Sequence, residues 1–474
     1  MTKQAYRIEH DLLGKRQVPR DAYYGIHTLR ALENFPISGT PISVYPEFID
    51  ALACVKQAVA HANLELGLLD EQRANAIIQA CRDIRNGELH DHFVVDVIQG
   101  GAGTSTNMNA NEVIANRGLE LLGHKRGDYE HLHPMDHVNL SQSTNDVYPT
   151  AIHVALRFYL DRLVSAMATL RKEFERKSEE FADVIKMGRT QLQEAVPMTL
   201  GQEFSTYAVM LDEDEHRLRE AALLIQEVNL GATAIGTGIN TEPEYAAMAV
   251  RYLADISEVP LVVSPNLVEA TQDAGAFVQL SGVLKRVAVK LSKTCNDLRL
   301  LSSGPRAGFV EINLPPVQAG SSIMPGKVNP VIPEVVNQVA FEVIGNDITV
   351  AFAAEAGQLQ LNAFEPIIAH SLFKSMSHLR QACLTLGDRC VRGITANRER
   401  LKRMVEESIG LVTALNPYIG YENASAIAQE AQATGASIYG LVLRKGLLTR
   451  EQLDEIMRPE SLTRPRSSRG EGSR

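Results

Sequence analysis

A long apolar stripe near the middle of the chain constrains its fold more than any other feature. Apolar residues recur at steps of three and four residues, with no Gly or Pro between them, at Ile152, Leu156, Leu160, Leu163, Met167, Leu170 and Phe174. This spacing is typical of one buried face of a long α-helix. Such a helix needs partners to cover its apolar face, so the stripe predicts a helical bundle.

Two further segments strengthen this interpretation. A second stripe comprises Phe277, Leu280, Leu284, Val287, Leu291, Cys295 and Leu298. A third candidate helix starts after Pro333 and runs toward Gly357, and Pro is compatible with a helix start. The alternative is an elongated coiled coil, which the Gly-rich loops between the stripes would interrupt.

These patterns predict a mostly α fold of three domains. We expect an N-terminal mixed, mainly helical domain over 1–142, whose first forty residues form irregular structure with short segments. A central long-helix bundle follows over 143–396, and a small C-terminal helical domain over 397–458. Residues 459–474 are rich in Ser, Arg and Gly and are expected to be a disordered tail.

Charge and cysteine content exclude several functional classes. The chain has 47 Lys and Arg against 57 Asp and Glu, a formal net charge of −10, which argues against nucleic-acid binding. An anionic substrate would therefore need local positive potential at its site. Five cysteines without a CxxC pair predict a reducing, cytoplasmic setting. The sequence shows neither a signal peptide nor an apolar run long enough for a membrane span.

The segment GSSIMPGKVNP, residues 320–330, is the strongest candidate for chemistry. It combines two Gly, two Pro and two hydroxyls with the cation of Lys327 and the amide of Asn329. Such a loop can close over an anion, with the lysine as a point charge and the amide as a fixed donor. An ordinary interhelix loop is the alternative. A Walker A motif is excluded because Val328 follows the lysine.

Three other polar segments accompany it. SQSTND (141–146) precedes the first stripe and predicts either simple capping or a carboxylate site at a helix N-terminus. GTSTNMN (103–109) offers donors for an oxyanion and does not match a dinucleotide-binding GxGxxG, whereas GRTQLQ (188–193) is a polar cluster after a helix. The histidines at 90–92 and 131–137 are interpreted as polar turn residues, so no metal-ligating set is predicted.

Together these four motifs, in this order, resemble the signature segments of the fumarase/aspartase superfamily. The resemblance extends to VNLGATAIGTGIN and LRLLSSGPRAG and spans nearly the whole chain except its tail. It implies three mostly helical domains, with a central domain that contributes five long helices to the twenty-helix core of a homotetramer. It also implies active sites assembled from segments of three subunits.

The reaction implied by the resemblance is the reversible deamination of L-aspartate to fumarate and ammonia. A proton leaves the β-carbon, and the resulting aci-carboxylate carries two negative charges on one carboxyl group. Placed hydrogen-bond donors stabilise such an anion by about 3 kcal/mol each. No metal or organic cofactor is required; some members respond to Mg²⁺ at a regulatory site, for which this sequence shows no identifiable ligands.

The resemblance also implies roles for individual residues. Ser321 matches the general base. The residues that would hold the β-carboxylate are Thr104, Ser143, Thr144 and Ser322. Those that would hold the α-carboxylate are Thr190, Lys327 and Asn329, with Asn145 near the amino group.

Gln191 departs from part of the superfamily. Fumarases have His at this position, and Glu334 matches the usual partner of that His. Glutamine can only hydrogen-bond, so it cannot activate the water that hydration of fumarate requires. Gln191 therefore favours ammonia elimination. A class II fumarase and a non-catalytic structural homologue, such as those of eye lens, remain the alternatives.

Overall fold

The computed structural model describes residues 5–320, 323–324 and 326–463. The chain divides into two compact units. Unit 1 comprises Met1–Ser165, His216–Ala288 and Ala340–Arg380, and unit 2 comprises Ala166–Glu215, Val289–Val339 and Gln381–Arg474. Each unit is mostly helical where it is described.

The described elements are numbered in chain order. The strands are short: β1 (Tyr6–Asp11), β2 (Gly14–Pro19), β3 (Ile185–Thr190), β4 (Gln193–Thr199), β5 (Glu227–Val228), β6 (Val262–Val263), β7 (Ile312–Asn313) and β8 (Thr395–Ala396). The helices are α1 (Ile26–Asn34), α2 (Pro46–Glu65), α3 (Glu71–Arg85), α4 (Thr104–Leu121), α5 (Thr144–Glu180), α6 (Leu200–Leu224), α7 (Tyr245–Ser257), α8 (Leu267–Ala270), α9 (Gly275–Leu301), α10 (Val331–Glu355), α11 (Glu365–Arg389), α12 (Arg398–Glu407), α13 (Leu411–Ile419), α14 (Tyr421–Thr434), α15 (Ile438–Arg444), α16 (Arg450–Ile456) and α17 (Pro459–Leu462). The strands pair as β1–β2, β3–β4 and β7–β8 in antiparallel ladders and as β5–β6 in a parallel one.

The two predicted stripes are confirmed as the buried faces of α5 and α9. Every residue of both stripes is at most 3% exposed. The third predicted helix is confirmed as α10, which begins at Val331, before Pro333. Pro333 lies in the first turn, where its missing N–H removes no intrahelical hydrogen bond. Within the described chain, no helix is both long and apolar enough to cross a membrane.

Polar side chains connect successive long helices within each unit. The contacts are Arg171–Glu215 at 2.9 Å (α5–α6), Lys290–Glu213 at 2.8 Å (α6–α9), Ser281–Asp347 at 2.8 Å (α9–α10) and Lys374–Glu342 at 2.6 Å (α10–α11). Neighbouring helices therefore pack side by side, as a bundle requires. This arrangement excludes the elongated coiled coil.

The two ends of the chain differ from the expectation. Residues expected to be irregular form the β1–β2 hairpin, in which Asp11 pairs with Gly14 across a two-residue turn and Gly14 has a left-handed φ of +106°. The prediction missed these strands, although the β1 sequence YRIEHD alternates uncharged with charged residues as a strand does. At the other end, residues 459–462 form α17 although they were assigned to the disordered tail, and residues 464–474 lie outside the described residues.

One apolar face of α10 is uncovered in the protomer. Phe341, Ile348 and Phe352 are 61%, 55% and 70% exposed, and they follow one another at helical spacing. Gly345 lies between them and has open space in front of its Cα. We refer to these four residues as the α10 face. A contiguous exposed apolar face of this kind marks an interaction surface.

Burial of the carboxyl group of Glu365, the first residue of α11, gives a pH-dependent stability. Glu365 is 6% exposed, and burial raises its pKa from 4.5 to about 8. Between these two values the folded protein holds a proton that the unfolded chain has released. Its free energy of unfolding therefore falls as the pH rises through this window.

We expect Glu365→Gln to remove this loss of stability. The free energy of unfolding of the variant, relative to that of the wild type, should rise by about 1.4 kcal/mol per pH unit. The rise should begin near the pKa of Glu365 in the unfolded chain and end near its pKa in the folded protein. Denaturant unfolding of both proteins across the window measures the difference. A difference that stays constant with pH would contradict the assignment.

Candidate active site

The N-terminus of α5 is built by Ser143, Thr144 and Asn145. The Ser143 hydroxyl oxygen accepts the backbone N–H of Asn145 at 3.2 Å, and the Ser143 N–H donates to Asp146 Oδ1 at 3.0 Å. Ser143 is therefore the N-cap of α5, and the side chain of Asp146 in the first turn accepts the N–H of this cap. The capping prediction for this segment is therefore confirmed. Because the Ser143 oxygen accepts from the protein, its hydroxyl hydrogen is left to donate elsewhere.

Asn145 has a fixed orientation. Its Nδ2 donates to the carbonyl oxygen of Ala234 at 2.8 Å, which leaves Oδ1 as an acceptor. The Ala234 segment is itself held by Asp146, whose Oδ2 accepts the N–H groups of Gly231 and Thr233, both at 3.0 Å. Burial raises the pKa of Asp146 to about 6. The buried carboxylate thus determines which end of the Asn145 amide is available.

The N-terminus of α4 lies beside that of α5. Three consecutive residues before it, Gly101, Ala102 and Gly103, have φ of +94°, +54° and +88°. A Cβ at Gly103 would collide with the ring of Tyr148 on α5, so only glycine allows this approach. Thr104 is exposed, and its hydroxyl donates to the Gly101 carbonyl at 2.8 Å. Thr104 must rotate this hydroxyl to donate to a ligand.

A buried polar network underlies both helix starts, and the sequence prediction did not include it. Lys56 on α2 is fully buried, and its ammonium donates to Asn107, Asn139 and Gln142. Asn107 Nδ2 in turn donates to Thr144 Oγ1 at 3.1 Å. Burial lowers the pKa of Lys56 to about 7. The lysine lies in an apolar helical run, and its acceptors are remote in sequence, so no local signal indicated it.

In unit 2, Thr190 and Gln191 lie at the exposed tip of the β3–β4 hairpin. The prediction placed them in a polar cluster after a helix and missed the strands. Thr190 pairs with Gln193, so Gln191 and Leu192 form a two-residue turn with φ of +53° and +64°. Two left-handed central residues are the pattern of a type I′ turn, which ordinarily selects Asn and Gly. Such strain at non-glycine residues is typical of functional sites.

Buried charges fix the base of this hairpin. Glu311 is fully buried and forms ion pairs with Lys186, at 2.7 Å, and with Arg189. Lys186 also contacts Glu203 at 2.5 Å, and the Arg189 guanidinium lies over the ring of Phe309. These contacts attach β3 to the segment that leads into the 320–330 loop.

The 320–330 loop closes on itself at its base. Ser321 and Ser322 lie outside the described residues. Asn329 Nδ2 donates to the Gly320 carbonyl at 2.6 Å, and a Cβ at Gly320 would collide with the backbone of Lys327 and Asn329. Lys327 is exposed. The base therefore brings Lys327 and Asn329 next to Gly320, and Asn329 keeps the second N–H of its Nδ2 for a ligand.

The predicted site residues fall into two groups. Unit 1 brings together the starts of α4 and α5, with Thr104, Ser143, Thr144 and Asn145. Unit 2 carries Thr190 and Gln191 on the hairpin and Lys327 and Asn329 on the loop. Hydroxyl groups that can donate outward at a helix N-terminus can bind one carboxylate of a ligand. The exposed ammonium of Lys327 can bind a second carboxylate. Among the described residues there is no group of three or more His, Cys, Asp or Glu side chains that could hold a metal ion.

The chain is similar to known lyases over almost its whole length. The family model described as Lyase matches residues 14–345, and that described as Fumarase C C-terminus matches 411–464. Aspartate ammonia-lyase of Helicobacter pylori is 58% identical over 97% of this chain and 98% of its own. The enzymes of that name from Pseudomonas canavaninivorans (60%, covering 98% of each chain) and Escherichia coli K12 (57%, covering 97% and 96%) are equally similar.

The fold is also similar to those of solved lyase structures. The fumarate lyase:delta crystallin of Brucella melitensis bound to cobalt superposes with a TM-score of 0.93 at 57% identity, covering 95% of this chain and 98% of that one. Class II fumarase from Schistosoma mansoni gives 0.90 at 35% identity, covering 96% and 98%.

The collision at Gly320 yields a test of the loop base. We expect Gly320→Ala to separate Gly320 from Lys327 and Asn329, and so to accelerate tryptic cleavage after Lys327 several-fold. Gly326→Ala is the matched control, because its Cβ would meet no atom within 4 Å and costs only about 1 kcal/mol of left-handed strain. Timed digestion followed by mass spectrometry measures both rates. Equal rates in the two variants would show that the base is not closed by this contact.

Proposed function

The chain belongs to the fumarase/aspartase family of lyases, and we propose that it is a carbon–nitrogen lyase that converts L-aspartate reversibly to fumarate and ammonia. The observation that carries this proposal is the identity of 57–60% to enzymes named aspartate ammonia-lyase over nearly the full length of both chains. Fold similarity alone would not decide it, because related lyases share the fold.

The chemistry requires donors where charge develops. Removal of a β-proton places two negative charges on one carboxyl group, in a protein whose net charge is −10. We assign the β-carboxylate to Thr104, Ser143, Thr144 and Ser322. The outgoing hydroxyl of Ser143 and the N-terminal position of these residues on α5 support this assignment, since a helix start attracts anions.

The α-carboxylate and the amino group are assigned to other residues. Thr190, Lys327 and Asn329 would bind the α-carboxylate. Asn145 would accept a hydrogen bond from the substrate ammonium with Oδ1, because its Nδ2 already donates to Ala234. The second N–H of Nδ2 stays available as a donor, so Asn145 alone does not decide between ammonia and hydroxide as the leaving group.

Ser321 is assigned as the general base. A serine hydroxyl abstracts a weakly acidic proton only if its alkoxide is stabilised, and closure of the loop with Lys327 nearby and water expelled would do so. Gln191 has no proton to exchange, so it would position the substrate. The protonated amino group of the substrate takes the electron pair of the C–N bond and leaves as neutral ammonia once the carbanion exists, so it needs no acid from Gln191.

We further propose that the protein is a homotetramer with active sites shared between subunits. The α10 face supports this, because three large apolar side chains at 55–70% exposure need a partner surface. We place the protein in the cytoplasm, since its five cysteines are buried free thiols. We propose no required cofactor; a regulatory Mg²⁺ site stays a proposal without assigned ligands.

The decisive experiment compares two reactions of the purified protein. We expect fumarate and ammonia to form from L-aspartate, and little malate to form from fumarate, because no His activates water at position 191. Absorbance of fumarate and a coupled ammonia assay measure the two activities. Dominant malate production would identify a fumarate hydratase, the second candidate that the Schistosoma mansoni similarity supports. Absence of both activities would identify a non-catalytic homologue.

Mixed tetramers test the shared site. We expect Ser321→Ala to abolish turnover while fumarate still binds, and Thr144→Ala to lower turnover strongly. If these residues come from different subunits, partial unfolding and reassembly of the mixed variants should restore a fraction of wild-type activity. Each variant treated alone is the control. A mixture no more active than its components would place both residues of a site on one subunit.

A further inference from the structure

The ammonium of Lys56 is fully buried and has three neutral acceptors. Its Nζ lies 2.6 Å from Asn107 Oδ1, 2.8 Å from Gln142 Oε1 and 3.1 Å from Asn139 Oδ1. Three acceptors match the three donors of the protonated amine. No carboxylate contacts this nitrogen in the described parts of the chain. An ammonium buried among neutral amides is costly, so its retention calls for an explanation.

The ammonium determines the orientation of the Asn107 amide. Because Oδ1 accepts from Lys56, Nδ2 must point away from it, and it donates to Thr144 Oγ1 at 3.1 Å and to Asn139 Oδ1 at 3.1 Å. The Thr144 oxygen is therefore an acceptor on its inner side. The single hydroxyl hydrogen of Thr144 makes no hydrogen bond within the described residues and is left to point outward from the half-buried helix start.

The charge also strengthens this outward donor. Hydrogen bonds in a chain polarise one another, and the effect is larger where the local dielectric is low. When Lys56 is protonated, the form that its three acceptors favour, the positive charge lies at one end, the Asn107 amide in the middle and the Thr144 hydroxyl at the other end. The buried carboxylate of Asp146 interacts electrostatically with Lys56, but its oxygens accept the N–H groups of Ser143, Gly231 and Thr233.

We propose that Lys56 is a positioning residue for the reaction: through Asn107 it turns the Thr144 hydroxyl outward as a donor to the carboxyl group that becomes doubly charged. This inference rests on the proposed function. Since the donor matters most once the second charge develops, loss of the relay should lower kcat more than it raises KM.

Asn107→Asp is the sharpest test. The aspartate keeps an acceptor for Lys56, so the buried ammonium stays satisfied, but it has no N–H for Thr144. The Thr144 hydroxyl then donates inward to the new carboxylate. Removal of one placed donor lowers kcat by roughly 100-fold or more. We expect Asn107→Asp and Thr144→Ala each to show a loss of this order, with KM changed less than about 3-fold.

The double variant and a control separate positioning from stability. We expect Asn107→Asp/Thr144→Ala to be no slower than either single variant, because both remove one donor. Lys177→Met is the matched control for Lys56→Met: Lys177 is also buried, and it donates to Ile394 and Glu180. Both lysine variants should lose thermal stability, and only Lys56→Met should lose kcat.

The outcomes distinguish the two proposals. A wild type without lyase activity overturns the proposed function itself. The role of Lys56 is overturned if the wild type is active and its Asn107→Asp variant keeps the wild-type kcat. It is also overturned if this variant raises KM by as large a factor as it lowers kcat. The role of Lys56 is also overturned if the double variant lowers kcat by the product of the two single-variant factors, because Asn107 and Thr144 would then act independently.

Discussion

The candidate site depends on the buried apolar stripe of α5. The apolar residues from Ile152 to Phe174 exclude water along one face and bury that side of the helix. Its first turn is fixed with it, because Ser143 and Asp146 cap it and Gly103 packs on Tyr148. Ser143, Thr144 and Asn145 thus stand on a rigid element. Rigid presentation of donors lowers the reorganisation that developing charge would otherwise demand.

Periodic and local features of the fold were predictable from the sequence, whereas remote contacts were not. The stripes of α5 and α9 and the cap at Ser143 follow from spacing and residue type alone. The β3–β4 hairpin was missed because Gln191 and Leu192 adopt a turn that usually selects Asn and Gly. Lys56 gave no signal, since its partners Asn107, Asn139 and Gln142 become neighbours only in the folded chain. The roles of Ser321 and Ser322 rest on resemblance alone.

Within a shared fold, a few polar atoms would decide between elimination of ammonia and hydration. The Schistosoma mansoni fumarase superposes closely at 35% identity, so the scaffold does not separate the two reactions. In this chain the separation would lie at Gln191, whose amide hydrogen-bonds but does not act as an acid or base. Gln191 itself has a left-handed backbone conformation, with φ of +53°.

The uncovered phenylalanines of α10 also bear on how the protein reaches its working state. If the proposed tetramer forms, a newly made chain would expose Phe341, Ile348 and Phe352 until it associates with other copies. Specific association then competes with non-specific aggregation through the same apolar surface. A high concentration of newly made chains favours aggregation. Yield from a producing cell should consequently depend on translation rate and temperature more than on the intrinsic stability of the finished enzyme.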